Sequence, residues 1–581
     1  MCRATPNKTE CESNYSRKAE RVDMSAKKAA KPASAKAKQV AVDSVRLALF
    51  APGMTPMHRA GLGGLACVLH ALENDFHEGR LKPPQLPGDW KDGCPPWTVS
   101  ETEIELRFGQ PKQAAQFLQR LFEYAFAIRS DGLIDLPGCF PGPPTAAALA
   151  DQQQGFMLTF LQHGKVRDVD KDPTLVHYDS SDGQTAGIEV EYRACRSFNR
   201  QKGWEEFVDS HGCFRSTSAR VDGPLFPGAV VRHVAFPSHT AVEEPAERVV
   251  CLYFAMLGTL SLAVNRGVGI LVIPEVDNLL DFIVARPLMS PTDALGWKVA
   301  NAADAALQSL VRVRMRNLRD AGLMPGCAAV TFQTTPWAKQ LKSRVAALEV
   351  ESHDPKQLER FEIALQLLPP RIVMTGVESS AAAGKKKRKK AESPPRTFRA
   401  DSVVRPLVAE NLALGRPWYQ DFARLMYRKN PANDKPYREA VVHERKGLFA
   451  MITENAMWDR AGDQLVVKAV HEAMRLSMGR IRHDTDGPGT KPLSQATKNR
   501  WERFREKLRL DLCGAKTAAQ VRFVLTDLFS RGGSNVVLRE SWQHVLPVLQ
   551  HDWQLARDLG LLALASYVGR GEADSGDSSN S

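Results

Sequence analysis

The stretch APGMTPMHRAGLGGLACVLHAL, Ala51 to Leu72, decides how the chain starts to fold. Pro52-Gly53 and Pro56 punctuate the backbone, and Leu65, Val68, Leu69 and Leu72 then recur at helical spacing, predicting a buried helix over Leu62 to Glu73. His58 and Arg59 place cationic donors at the break, while Gly61, Gly63 and Gly64 let the backbone come close to a neighbour. Two readings follow: a helix start that receives a phosphate, or a tightly packed junction between loop and helix. The glycine spacing matches neither the dinucleotide fingerprint nor a P-loop.

Working outward, TEIELRF at Thr102 to Phe108 alternates Ile104, Leu106 and Phe108 with charged residues and reads as a strand. A helix is predicted over Gln113 to Ile128, strands over Gly187 to Ala194 and Gly269 to Val276, and another helix over Asp293 to Leu310. The apolar run VVCLYFAMLGTLSLAV, Val249 to Val264, is shorter than the ~20 residues that span a bilayer and reads as one buried helix. Residues 42–378 therefore read as a mixed α/β domain. Residues 379–399 combine small residues, the block KKKRKK at Lys385 to Lys390 and a Pro pair, a linker composition.

Beyond the linker the pattern turns helical. Predicted segments are Val403–Leu414, Trp418–Arg428, Lys435–Asn455, Gln464–Gly479, Lys498–Leu510, Thr517–Phe529, Trp542–Leu549 and Asp552–Val568, making residues 400–570 an all-α bundle. The fold class is thus α+β: a mixed N-terminal domain followed by a C-terminal helical bundle. The Lys/Ala-rich residues 1–41, in which Met24 is an alternative initiator, and the acidic residues 571–581 read as disordered tails.

The chain has 581 residues with 78 Lys plus Arg against 66 Asp plus Glu, a formal net charge of +12 that favours polyanionic partners. Ten cysteines show no CxxC pair, so neither a zinc ribbon nor a disulfide framework is indicated, and reduced thiols in a cytoplasmic protein are expected. No signal peptide is visible.

Searches for chemistry return little. His471 opens HEAMR, which lacks the second histidine of HExxH, and neither a GxSxG elbow nor a Walker A string occurs. Glu275, Asp277 and Asp281 follow an apolar strand and read as a solvated strand-to-helix cap rather than a metal site, and His233 and His239 read as loop histidines. No catalytic residue, metal or cofactor is expected.

Binding chemistry is better represented. In VRVRMRNLR the residues Arg312, Arg314 and Arg316 alternate as on a strand, whereas Arg312, Arg316 and Arg319 share a helix face. Either geometry offers guanidinium forks for phosphate, or a solvated amphipathic element. Downstream, Gln333, Trp337 and Lys339 interleave hydrogen-bonding, stacking and cationic groups suited to groove reading, with core packing of Trp337 as the competing account. Between Arg475 and Arg509 ten Lys/Arg face four acids; Arg500, Arg503, Arg505, Lys507 and Arg509 flank Trp501, Phe504 and Leu508, which fits either a solvated helix or a groove tracking single-stranded DNA.

The string Ala51 to Leu72, at this position in a basic chain, resembles the opening of the MYXAN-type large subunits of type I CRISPR effector complexes (Cascade), a family that includes fruiting-body developmental proteins. The resemblance runs from about Val42 to the final helices and is sharpest over that string. It implies a non-catalytic subunit that acts with crRNA on target DNA in antiviral defence, contributing to flanking-motif recognition and holding the displaced strand of the R-loop. Implied partners are the Cascade backbone subunits and a recruited helicase-nuclease, with no membrane. The family also implies a shorter helical product from an internal start, for which Met426 is the favoured position. The alternative is a developmental or regulatory interaction protein that does not bind nucleic acid.

Overall fold

The computed structural model describes residues 42–162, 164–178, 188–215, 218–222, 241–264, 267–316, 324–337, 340–351, 354–375, 396–429, 436–488, 493–531 and 533–569. Strand β1 (Ser44–Ala48), helix α1 (Pro56–His77), β2 (Trp97–Val99) and β3 (Glu103–Arg107) come first, and the strands form an antiparallel sheet of order β1-β3-β2. Ile104 pairs with Leu47 and Leu106 with Val45, so the alternating apolar positions of β3 and β1 face one core. Helices α2 (Ala114–Ala125) and α3 (Ala146–Leu158) follow; α2 stops before Ile128, which instead bridges to Ile134. Short strands β4 (Arg167–Val169), β5 (Thr174–His177), β6 (Glu189–Tyr192) and β7 (Cys195–Phe198) pair as β4-β7 and β5-β6, and β8 (Ser218–Asp222) pairs with β9 (Ala241–Pro245).

The apolar run Val249 to Val264 is buried but is not one helix. Helix α4 (Ala246–Gly258) ends where Thr259 becomes extended, and β10 (Leu260–Val264) continues as a sheet edge paired with β11 (Val268–Pro274). A methyl group at Gly258 would lie 1.7 Å from the Ala60 carbonyl oxygen, so α1 presses on α4 at this bend. After α5 (Leu279–Met289), the helix predicted from Asp293 starts later, as α6 (Ala302–Arg316). The Asp293 carboxylate binds the Gly296 N–H and the Asn301 side chain caps Asp304, which holds residues 293–301 in turns before α6. Strands β12 (Gly326–Trp337) and β13 (Gln340–Glu351) complete the four-stranded antiparallel sheet β10-β11-β12-β13, and α7 (Pro355–Leu367) lies beside α6.

Strand β14 (Arg371–Thr375) pairs with β15 (Arg396–Ala400) on either side of residues 376–395, which lie outside the described residues together with the block Lys385 to Lys390. Beyond β15 every described element is helical: α8 (Arg405–Ala413), α9 (Ala423–Tyr427), α10 (Tyr437–Val441), α11 (Arg445–Thr453), α12 (Ala461–Asp486), α13 (Gln495–Gly514), α14 (Ala518–Arg531), α15 (Val536–His551) and α16 (Trp553–Ser566), with two single 3₁₀ turns. The helix predicted over Lys435 to Asn455 is broken into α10 and α11. Between them the buried Glu444 carboxylate receives the Ser402 hydroxyl and the Val403 and Val404 N–H groups that start α8.

One hydrophobic core runs from Leu133 through the sheet and α6 to Tyr567, while a second, rich in Phe117, Phe122, Phe126 and Phe254, lies around α1 and α4. Two buried ion pairs fasten the chain after β14 to the N-terminal part: Arg399 to Asp151 at 2.7 Å and Arg405 to Asp304 at 2.8 Å.

Candidate nucleic-acid interface

The glycine-rich helix start serves packing and not a ligand. In α1 a methyl at Gly61 would fall 1.9 Å from the Cys251 carbonyl oxygen, and one at Gly64 would fall 2.5 Å from the Phe254 carbonyl oxygen. Gly63 faces the Phe282 ring of α5, and all three glycines are buried. Their reading as an exposed phosphate cradle is therefore corrected: the missing side chains let α1 and α4 touch along their backbones.

His58 is also spoken for. Its Nδ1 receives the Thr55 N–H at 3.3 Å and lies 2.7 Å from the Thr55 hydroxyl, which leaves Nε2 as the protonated nitrogen, 2.9 Å from the Glu244 carboxylate. Burial holds its pKa below the usual histidine value, against the opposing pull of Glu244. His58 thus closes the α1 cap onto β9. Arg59 beside it is half-buried, and among the described residues its Nε finds no hydrogen-bond partner.

On α6 the two described guanidiniums bind neighbouring protein groups. Arg312 reaches the Gln308 side chain at 2.6 Å and the Gly296 and Met289 carbonyls, and Arg314 donates to the Pro355 carbonyl at 3.0 Å. The element is helical up to Arg316, not a strand, and these two arginines tie it to neighbouring loops, so their reading as a free phosphate stripe is corrected. Arg316 closes α6, and Gln333 and Trp337 lie on β12 opposite Arg344 and Gln340. The side chains of these three, and the whole of Lys339 and Arg319, lie outside the described residues.

Helix α13 splits its cations by face. Trp501 donates its indole N–H to the Met478 carbonyl at 3.0 Å, and Leu508 and Leu512 bury the same side. Arg509 is on that inner side: it grips Glu506 at 2.6 Å and 2.8 Å and donates to the Met426 carbonyl at 3.0 Å. Arg505 is half-buried with its guanidinium 5.5 Å from the Tyr567 ring centre. Arg509 and Arg505 are thus structural, a correction to their place in the proposed groove. Arg500, Arg503 and Lys507 remain exposed at i, i+3 and i+7; Arg500 makes one hydrogen bond, to the Thr485 hydroxyl at 2.8 Å.

The Arg509 contact also bears on the internal start. The segment before Met426 buries Trp418, Tyr419 and Phe422, binds Asp463 through the Tyr419 hydroxyl, and gives the Asp421 and Ala423 N–H groups to Asp558. A product beginning at Met426 would leave Asp463 and Asp558 without those donors in an apolar interior, so Met426 is a poor boundary for a folded fragment.

Glu275 and Asp277 are exposed, and Asn278 rather than an acid caps α5 by receiving the Leu280 and Asp281 N–H groups. Among the described residues no group of three or more His, Cys, Asp or Glu could hold a metal, and no helix is long and apolar enough to cross a membrane. His471 hydrogen-bonds to the Ala563 carbonyl at 2.9 Å and lies against Phe449, and burial lowers its pKa to about 4. His233 and His239 lie outside the described residues.

Comparison with known proteins places this architecture. Residues 46–253 match the DevT N-terminal domain family and residues 454–581 the DevT C-terminal domain family. The CRISPR-associated protein Cas8a1/Csx13 of Myxococcus xanthus is 34% identical over 553 residues, which cover 90% of this chain and 88% of that protein. The chain belongs to the Cas8a1/Csx13 family. The resemblance read from Ala51 to Leu72 points the same way, although its glycines act in packing. In this Cas8a1/Csx13 family member the N-terminal match takes in α1 and the first half of α4, with the Gly61–Cys251 approach, and the C-terminal match carries α12 to α16 with the exposed row on α13.

Proposed function

We propose that this chain is the non-catalytic large subunit of a type I CRISPR surveillance complex in the cytoplasm. In that role crRNA reads the target by base pairing, and the protein tips a nearly balanced strand exchange by contacting flanking duplex and displaced strand. The observation that supports it most is the exposed row Arg500, Arg503 and Lys507 on a helix whose other side packs through Leu508 and Leu512, in a chain of the Cas8a1/Csx13 family. Three cations one turn or so apart can follow a phosphate backbone without reading sequence. Reading of the flanking motif is assigned to the region of Gln333, Trp337 and Lys339. Partners are crRNA, target DNA, backbone subunits and a helicase-nuclease that supplies the chemistry.

Affinity purification of the native protein, with sequencing of bound RNA and mass spectrometry of bound protein, tests this. The expected result is a discrete set of short repeat-derived RNAs with stoichiometric partner subunits, and no cleavage of DNA or RNA and no ATP hydrolysis with magnesium or manganese. Recovery of the chain with protein partners but no RNA would favour the interaction-protein account. Turnover abolished by Asp277→Asn would overturn the non-catalytic assignment.

A further inference from the structure

A second concentration of positive charge lies in the N-terminal part, away from α13. A cavity of about 540 Å³ opens between the end of α3, the start of β4, the β6–β7 turn, the end of β10 and the loop carrying Lys298. That volume is within the range of ligand clefts, ~300–1,000 Å³. Its walls carry Arg167 and Arg193 against one carboxylate, Glu191, together with Lys298, whose charge Asp401 and Asp151 already offset in part. Among the described residues, neither Arg167 nor Arg193 forms an ion pair; the Arg167 guanidinium lies against the Met157 thioether. Burial holds the pKa of Arg167 down and the nearby Arg193 charge adds to this; Lys298 is depressed by burial first and then by Arg399, with Asp401 and Asp151 pulling the other way.

The wall is rigid. Gln154 donates to the Glu191 carbonyl and Gln153 to the Arg193 carbonyl, each at 2.6 Å, so the backbone that presents Arg193 is pinned to α3. A half-buried guanidinium with no carboxylate bears a desolvation cost that an anionic ligand would offset. Arginine forks suit phosphate oxygens, and cations gathered in a cleft focus the field on an incoming anion. Arg193 is exposed at the mouth, and Arg167 and Lys298 stand deeper.

Given the nucleic-acid reading above, on which this rests, we propose that the cavity seats phosphates of a bound nucleic-acid strand, a contact separate from the α13 row. The test is fluorescence anisotropy of the full chain with 20-mer oligothymidylate and oligouridylate across a salt series. Arg193→Gln should lower the slope of log Kd against log salt by about 0.7, and Arg167→Gln/Arg193→Gln by about 1.4. Arg193→Lys should keep the wild-type slope. Should the double variant fail to fold, exposed Arg193→Gln decides the matter alone. An unchanged slope in folded cavity variants, with a reduced one in Arg500→Ala/Arg503→Ala/Lys507→Ala, overturns the cavity proposal and leaves the function standing. No binding by the wild type, or no change in either set, overturns both. Displacement of the oligonucleotide by inorganic phosphate at constant ionic strength would make the cavity a free-phosphate site and overturn the strand assignment.

Discussion

Helix α6 carries arginines over its last turn and a half and α13 carries them along most of its length, yet α6 gives its described guanidiniums to carbonyl and amide oxygens whereas α13 holds three cations out to solvent. The cause is in what surrounds each. Helix α6 packs against α5, α7, α8 and the β11–β13 face, so Arg312 and Arg314 meet protein, although Met315 near its end is exposed. Helix α13 packs on α9, α12, α14 and α16, with Leu508 and Leu512 buried, and leaves Arg500, Arg503 and Lys507 exposed. A buried arginine must be satisfied by the fold; an exposed one is available to a partner.

The largest effect should come from breaking the packed side. Asp304→Ala strands the fully buried Arg405 guanidinium and should cost about 3–5 kcal/mol in urea denaturation. A loss under 1 kcal/mol would mean that α6 is not packed as described.

An effect of intermediate size belongs to the bundle and depends on pH. His471 is held neutral with a pKa of about 4, whereas in the unfolded chain it titrates near 6.5, so between those values the unfolded state binds more protons. Its stabilisation is complete above pH 6.5 and fades as pH falls toward 4. Asp558, raised to about 6 by burial, acts oppositely, gaining as it protonates. The difference between wild type and His471→Gln isolates the histidine: wild type should lose about 2 kcal/mol more between pH 7.5 and pH 5. Parallel pH profiles would refute this.

A smaller change sharpens the comparison itself. Arg312→Ala removes the contacts to Gln308, Gly296 and Met289 and should cost about 1 kcal/mol of stability, with no change in the salt dependence of DNA binding. A reduced salt slope in that variant would return α6 to the nucleic-acid surface.

Much of this was legible in the sequence. Alternation at Ile104, Leu106 and Phe108 marked β3, and the apolar recurrence after Gly64 marked α1. Less legible was anything that depends on a distant partner. Gly61 and Gly64 carry the same signal whether they face a phosphate or another helix, and Gly258, which shares their contact, lies far along the chain. The apolar run Val249 to Val264 could not show that its helix would end at Gly258 and continue as β10. Arg500 and Arg509 look alike until the Met426 carbonyl and Glu506 claim one of them. Arg167, Arg193 and Lys298 form no motif, because three separate loops and strands bring them to one cavity.

The central claim is that the exposed row of α13 is a nucleic-acid contact while Arg312 and Arg314 of α6 are structural. The most direct measurement is the salt dependence of target-DNA binding for Arg500→Ala/Arg503→Ala/Lys507→Ala beside Arg312→Ala. The α13 variant should keep its stability within about 0.5 kcal/mol and lower the slope of log Kd against log salt by about 2, as expected for three lost contacts to a single strand. An α13 variant that binds with wild-type affinity and slope while remaining folded would contradict the account.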